Sequence, residues 1–179
     1  GLTSLELPDS LEILDESAGI QMEKIEYNGG IRVTRIKIVS QEAAKKMGKP
    51  VGSYITLEAD GVLEEEDGIK EKTAKAVAGE LGQLLRVDYT LKVLVAGLGN
   101  SLVTPDRLGP ETAAKVRVTR HLFVIFDADG DEEMSNVSCI IPGVTGSTGM
   151  ETAEVIKKAA EIVKPDVVIV IDSLAARDI

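Results

Sequence analysis

The stretch Lys92–Pro110, K-V-L-V-A-G-L-G-N-S-L-V-T-P-D-R-L-G-P, limits the folding choices of this chain more than any other, because an apolar run in it gives way to glycines and then to an acid. Val93, Leu94, Val95 and Ala96 form a short run without polar alternation, as expected of a strand buried on both faces. Gly97 and Gly99 let the backbone turn sharply at its carboxyl end. In open α/β sheets ligands bind in the crevice outside the carboxyl ends of the strands, so the loop Asn100–Asp106 falls where chemistry is usually found. The same pattern recurs once. Val167-Val168-Ile169-Val170-Ile171 is a second buried strand that ends on an acid, Asp172, followed by Ser173-Leu174-Ala175-Ala176-Arg177. Two carboxylates are therefore expected at equivalent strand ends, close enough to share a proton or a water.

The rest of the chain supplies elements to surround these strands. Residues 1–29 are rich in Glu, Asp and Ser without a sustained period, and predict a partly ordered arm or one short helix. Ile31–Val39 reads as a strand from its β-branched content. Ser40 then caps a helix over Gln41–Met47, closed by Gly48 and Pro50. Ser53–Glu58 is another strand, and Ile69–Leu85 is a helix whose Ile69, Val77, Leu81 and Leu84 share a face expected to pack on the sheet. Pro110–Val118 predicts a helix with proline near its first turn. Leu122–Phe126 reads as a short strand, Val137–Ile141 as another, and Gly143–Gly149 as a flexible loop at the active end. Glu151–Val163 is a helix with Val155, Ala159 and Ile162 inward. Strands alternating with helices predict an α/β fold, a three-layer sandwich with helices on both faces of a largely parallel sheet that the amino-terminal strands could make mixed. The expected organisation is an arm over 1–29 and one domain over 30–179.

Charge and cysteine usage narrow the function classes. With 30 acidic and 20 basic residues the net charge is −10, so direct nucleic-acid binding is not expected, whereas a basic protein partner suits the surface. The single cysteine, Cys139, cannot form an intrachain disulfide and fits a reducing interior. No apolar run reaches the length of a membrane span and no secretory signal opens the sequence. The expectation is a cytoplasmic protein with no membrane contact.

Several chemistries can be weighed on the residues. Two carboxylates held close share one proton and can hydrolyse a peptide, one activating water while the other donates a proton. The plainer reading has each aspartate capping the helix after its strand. Gly97-Leu98-Gly99 could open a nucleotide or phosphate site, but Leu102 stands where the third glycine of G-x-G-x-x-G belongs. His121 and Arg120 follow a helix, where cations suit the carboxyl end, or they bind a substrate carboxylate. One histidine and one cysteine are too few for a typical zinc site, and neither a metal nor a cofactor is expected. Ser101, Ser147 and Ser173 lack the context of a nucleophile elbow.

The motifs around the two acids resemble a known family. Gly97-Leu98-Gly99-Asn100, Val103-Thr104-Pro105-Asp106, Leu108-Gly109-Pro110, Val118-Thr119-Arg120-His121-Leu122, Pro142-Gly143-Val144 with Gly146, Thr148-Gly149-Met150-Glu151-Thr152 and Lys164-Pro165-Asp166 leading to Ile171-Asp172 are similar to stretches of the germination protease of spore-forming bacteria. Gly48-Lys49-Pro50-Val51-Gly52-Ser53-Tyr54 extends the resemblance, which runs from roughly residue 30 to the end. It implies an atypical aspartic endopeptidase with Asp106 and Asp172 as its essential aspartates. Asn100, Thr104, Arg120, His121, Gly143 and Gly146 are the implied supporting or substrate-binding residues. It further implies small acid-soluble spore proteins as substrates, a homotetramer, a zymogen activated by loss of a propeptide, and a place in the spore core. Arg107 and Ser173 stand where alanine is common in the family. Family members continue well beyond Arg177, so this chain alone is expected to show little or no peptidase activity. A catalytically inactive piece of that protease and a nucleotide- or phosphate-binding α/β module are the alternative readings.

Overall fold

The computed structural model describes residues 10–15, 19–27, 29–62, 68–85, 90–126 and 134–174. The chain divides into two compact units, Gly1–Arg86 and Val87–Ile179, where the sequence had suggested one domain behind an arm.

The first unit is an antiparallel sheet of four strands in sequential order, β1 (Ser10–Asp15), β2 (Ile20–Tyr27), β3 (Ile31–Ile38) and β4 (Gly52–Ala59). Two of these strands, β1 and β2, occupy the region expected to be an arm or a short helix. Their polar residues conceal the alternation: in β2, Ile25 is buried between exposed Lys24 and Glu26, as a strand with one covered face requires. The β2–β3 hairpin pairs Tyr27 with Ile31, and Gly29 and Gly30 turn the chain at φ of +94° and +74°, a region that only glycine enters freely.

Helix α1 (Gln41–Met47) starts where the Ser40 hydroxyl accepts the Ala43 N–H at 3.1 Å and ends at left-handed Gly48. Its Ala43 and Ala44 pack against Ile38, with Ile20, Ile36 and Tyr54 around them. Helix α2 (Ile69–Leu85) lies on the sheet through Ile69 and Ala76, which meet Ile31, Tyr27, Leu57 and Ala59. The expected inward face of α2 was only partly right. Val77, Leu81 and Leu84 remain 40–47% exposed, whereas Glu80 is 6% exposed. The cause is an ion pair. Arg35 on β3 donates from Nε and Nη2 to the two Glu80 oxygens at 2.8 and 2.6 Å and from Nη1 to Glu23 at 2.9 Å. Bidentate pairing satisfies the carboxylate well enough to hold it under the helix, and rotates the leucines outward.

The second unit is a parallel sheet in the order β6-β5-β7, made of β5 (Lys92–Gly97), β6 (Asn136–Ile140) and β7 (Val167–Ile171). The α/β class and the parallel sheet thus stand, and the amino-terminal strands form a sheet of their own. Leu94, Val95 and Ala96 are buried to 1%, 5% and 0% exposure, which is why this run carries no polar residue. Helix α3 (Leu108–Ala113) packs on β5 and β7. It is shorter than expected and is preceded by a 3-10 turn over Thr104–Asp106.

Helix α4 (Arg120–Phe126) replaces the strand expected over Leu122–Phe126. Its apolar run imitates a buried strand, but only Phe123 is buried, and Val124, Ile125 and Phe126 are 61–74% exposed. A short helix α5 (Thr145–Thr148) occupies part of the expected flexible loop. Helix α6 (Thr152–Val163) follows and packs on β5 and β6. Val155 and Ala159 of α6 are half-buried as expected, whereas Ile162 is 72% exposed. No helix among the described residues is long and apolar enough to cross a membrane.

Candidate active site

Parallel pairing brings the two acid-bearing strand ends side by side. Val93 through Gly97 pair in register with Val167 through Ile171, so the residues after Gly97 and after Ile171 leave the sheet at the same end. One further backbone bond continues the ladder into the loops: the Leu98 N–H donates to the Ile171 carbonyl at 2.8 Å. Asp172 is the next residue after that carbonyl.

Asp106 is held over the end of β5 by its own loop. Its Oδ2 accepts the Asn100 N–H at 2.8 Å, and its backbone N–H donates to the Val103 carbonyl at 2.8 Å. The Asn100 side chain stiffens the same loop, its Oδ1 accepting the Leu102 N–H at 3.0 Å. Glycines make the closeness feasible. A Cβ on Gly99, which stands at φ +119°, would overlap the Asp106 carbonyl oxygen. A Cβ on Gly109 would overlap the Leu98 carbonyl oxygen and come within 2.5 Å of the Ile171 carbonyl oxygen. Gly109, buried on α3, is thus where the ends of β5 and β7 and the start of the helix meet. The sequence shows it only as one glycine in Leu-Gly-Pro, with no local signal of a three-way contact.

The plainer role, capping the helix that follows, is not what the geometry shows for Asp106. The residue capping α3 is Arg107, without a side-chain cap bond, and Asp106 belongs to the preceding turn. Asp172 is exposed, and its Oδ1 accepts the Ser173 N–H at 2.9 Å. Each carboxylate therefore spends one oxygen on a backbone N–H and keeps the other without a hydrogen bond among the described residues.

The other expected site residues separate into two groups. Asn100 and Thr104 lie in the Asp106 loop, where the Thr104 hydroxyl accepts from Arg107 Nη2 at 3.2 Å. Gly143 and Gly146 follow β6, whose carboxyl end is at the same side of the sheet because β6 is parallel to β5. The Gly143 carbonyl accepts the Thr152 hydroxyl at 3.2 Å, which ties this loop to the start of α6. Arg120 and His121 are elsewhere. They come directly after Thr119, whose hydroxyl accepts the Val137 N–H at 2.8 Å and whose N–H donates to the Val137 carbonyl at 3.0 Å. Val137 is near the amino-terminal end of β6, away from the aspartate loops. Both residues also open α4 rather than follow a helix, so the carboxyl-end dipole cannot be what places them there.

Other chemistries find less support. Burial pushes the Cys139 thiol up, which disfavours the reactive thiolate, and its Sγ rests 3.4 Å from the Ala113 carbonyl. No cluster of three or more His, Cys, Asp or Glu occurs among the described residues. A cavity of about 380 Å³ lies in the first unit, lined by Glu23, Arg35, Ile55, Glu80, Gln83 and Leu84 among others. Its three central charges are committed to one another: Arg35 binds Glu23 and both Glu80 oxygens, and its guanidinium is held above the ordinary range by Glu80 first and then Glu23, against the opposing effect of burial. No such pairing occupies the strand ends, where two neighbouring parallel strands each lead to an acid with an unused oxygen, so the strand ends are the better candidate.

Comparison with known proteins identifies the family. The family model described as germination protease matches residues 6–179. The germination protease of Caldanaerobacter subterraneus subsp. tengcongensis is 45% identical over 162 residues, covering 90% of this chain and 50% of that protein. That of Clostridium tetani is 40% identical over 163 residues with the same coverages, and that of Bacillus subtilis is 42% identical over 159 residues, 87% of this chain and 43% of that protein. The chain spans about half the length of the curated relatives it matches. A model matching nearly the whole sequence, together with relatives at this identity, means that the chain belongs to the germination protease family.

Proposed function

We propose that this chain carries the catalytic pair of an endopeptidase that degrades small acid-soluble spore proteins during germination, with Asp106 and Asp172 acting together. The observation that supports this reading is the in-register parallel pairing of β5 with β7, carried into the loops by the Leu98–Ile171 bond, which delivers an acid from each strand at the same end of one sheet. Hydrolysis at such a pair needs water to add to the scissile carbonyl carbon while one carboxylate takes its proton. The C–N bond then breaks as the other carboxylic acid supplies a proton to the leaving amine. The pair acts as a unit, so neither aspartate is given a fixed role. Each has an oxygen left for this work. Asn100 and the glycines at 97, 99 and 109 hold Asp106 in place, and Thr104, Gly143 and Gly146 stand at the same end of the sheet, where a substrate backbone would lie. With this reading go a homotetramer, a zymogen and a location in the spore core, all supported by family membership.

The test is cleavage of a spore-protein substrate by a full-length family member carrying Asp→Asn at the positions matching Asp106 and Asp172, with this chain assayed in parallel. Each variant is expected to lose activity by a factor of about 10³ or more, as removal of an essential acid or base does. Substantial cleavage by both variants would remove the aspartates from the mechanism. This chain is expected to cleave far more slowly than the full-length protein, because walls that hold substrate in register contribute as much as the acids themselves.

A further inference from the structure

The outer side of β7 is unfinished. It is an edge strand, with β5 on one side and no strand on the other among the described residues. One of its faces is also bare. Leu94 and Ala96 of β5 pair directly with Val168 and Val170 of β7 and so share a face with them. Leu94 and Ala96 are 1% and 0% exposed, whereas Val168 and Val170 are 44% and 52% exposed. Helix α6 packs chiefly on β5 and β6, which leaves these two valines about half exposed.

Chain handedness says what shape would fit. Parallel strands are joined by right-handed crossovers in nearly all cases. Between β5 and β6 the chain passes α3 on one face of the sheet, and between β6 and β7 it moves in the opposite sense past α6 on the other face. A further step in that second sense puts its helix on the α6 face, over Val168 and Val170, and its strand along the free edge of β7. Edge pairing with a second copy of β7 would extend the sheet but leave both valines uncovered.

We propose that the free edge of β7 and the Val168–Val170 face are the seat of a helix and strand supplied by the part of a full-length germination protease that this chain does not span. The occupant is available, because the chain covers 50% of the Caldanaerobacter and Clostridium tetani proteins. The proposal rests on family membership and the sheet, not on peptidase activity, and its tests read binding alone. Since Asp172 follows β7, the seat adjoins the candidate catalytic pair.

Affinity-tagged chain is co-expressed with the portion of the Caldanaerobacter protein outside its match to this chain. The unaltered chain is expected to co-purify with it, the double variant Val168→Glu/Val170→Glu to retain at least about tenfold less, since a carboxylate buried unpaired is costly, and Val124→Glu on exposed α4 to retain it fully. Equal retention by the double variant overturns the proposal. So does a self-associated form of this chain that the double variant dissolves, because the face then belongs to a second copy. Hydrogen exchange gives an independent reading: in the full-length Caldanaerobacter protein the β7 amides should exchange about a hundredfold more slowly than in this chain alone. Equal rates overturn the proposal whatever the co-expression yields.

Discussion

The two sheets of this chain differ in where they leave their loops. In the first unit each strand pairs with its sequence neighbour and reverses direction, so successive connections emerge at alternate ends. In the second, three parallel strands release their carboxyl ends together, and the loops carrying Asn100, Asp106, Gly143 and Asp172 gather at one side. Their means of cohesion differ too. The first unit ties its helix down with the Arg35–Glu80 pair, while the second relies on apolar strands and on backbones brought into contact through glycine. A convergent site thus comes with the parallel sheet, together with a need for tight backbone packing.

If that contrast is right, the largest single effect should come from Gly109→Ala. The new methyl would overlap the Leu98 carbonyl oxygen and crowd that of Ile171, both of them backbone atoms that cannot rotate away. Destabilisation of about 3 kcal/mol is expected. Site-resolved hydrogen exchange should show it in β5 and β7, with β2–β4 unchanged. A loss spread evenly over both sheets would break the distinction. Next comes Glu80→Ala, which leaves Arg35 half-buried with Glu23 as its remaining partner. A cost of about 2 kcal/mol is expected, below that of a fully buried pair because Arg35 retains some solvent and one carboxylate. Denaturant titration should show the double replacement Arg35→Met/Glu80→Leu recovering most of it, since an apolar pair incurs no charge burial. No recovery would mean that the ion pair also fixes how the helix sits.

How legible each region was follows from the same contrast. The parallel strands were readable because burial on both faces removes polar residues, leaving Val93–Ala96 and Val167–Ile171 as uniform runs. Helix α1 was readable from its caps, Ser40 and Gly48. By contrast β2 carries charge on an open face, so its sequence reads as an arm, while α4 has an apolar run that stays mostly exposed and reads as a strand. The inward face of α2 was misjudged because hydrophobicity ranks Leu81 above Glu80, and only Arg35, 45 residues away in sequence, makes the glutamate the buried one. At the site, the acids and the first glycines stood out locally. The separation of Arg120 and His121 from the acids did not, since it depends on which end of β6 Thr119 joins.

A smaller effect of opposite sign tests whether glycines away from the strand ends are idle. Gly82 lies inside α2, and a Cβ there would meet nothing within 4 Å. Gly82→Ala should raise stability by about 0.5–1 kcal/mol through the lower entropy of the unfolded chain, seen as a higher denaturation midpoint. A decrease would show that α2 needs that position bare.

The smallest effect concerns the exposed charges of the antiparallel sheet. Arg32 forks onto Asp60, Nη1 to Oδ2 at 2.7 Å and Nη2 to Oδ1 at 3.1 Å. That hydrogen bonding first, and the guanidinium charge second, hold the Asp60 carboxyl below the usual range. The sign follows from linkage. A carboxyl whose folded value is depressed adds stability that is fully present above its unfolded value of about 3.9 and is lost as pH falls through the folded value. The Tm advantage of the unaltered chain over Asp60→Asn should therefore be flat near neutrality and shrink below about pH 4. Both partners are solvent-exposed, at 42% and 66%, so the advantage should be small and should fade with added salt. The fork also closes the sheet beside the β2–β3 turn, where the Asp60 N–H donates to the Gly30 carbonyl at 3.1 Å, a backbone bond that Asn at position 60 would keep. A Tm difference that survives both acid and salt would therefore show that the contribution of Asp60 does not come from its charge.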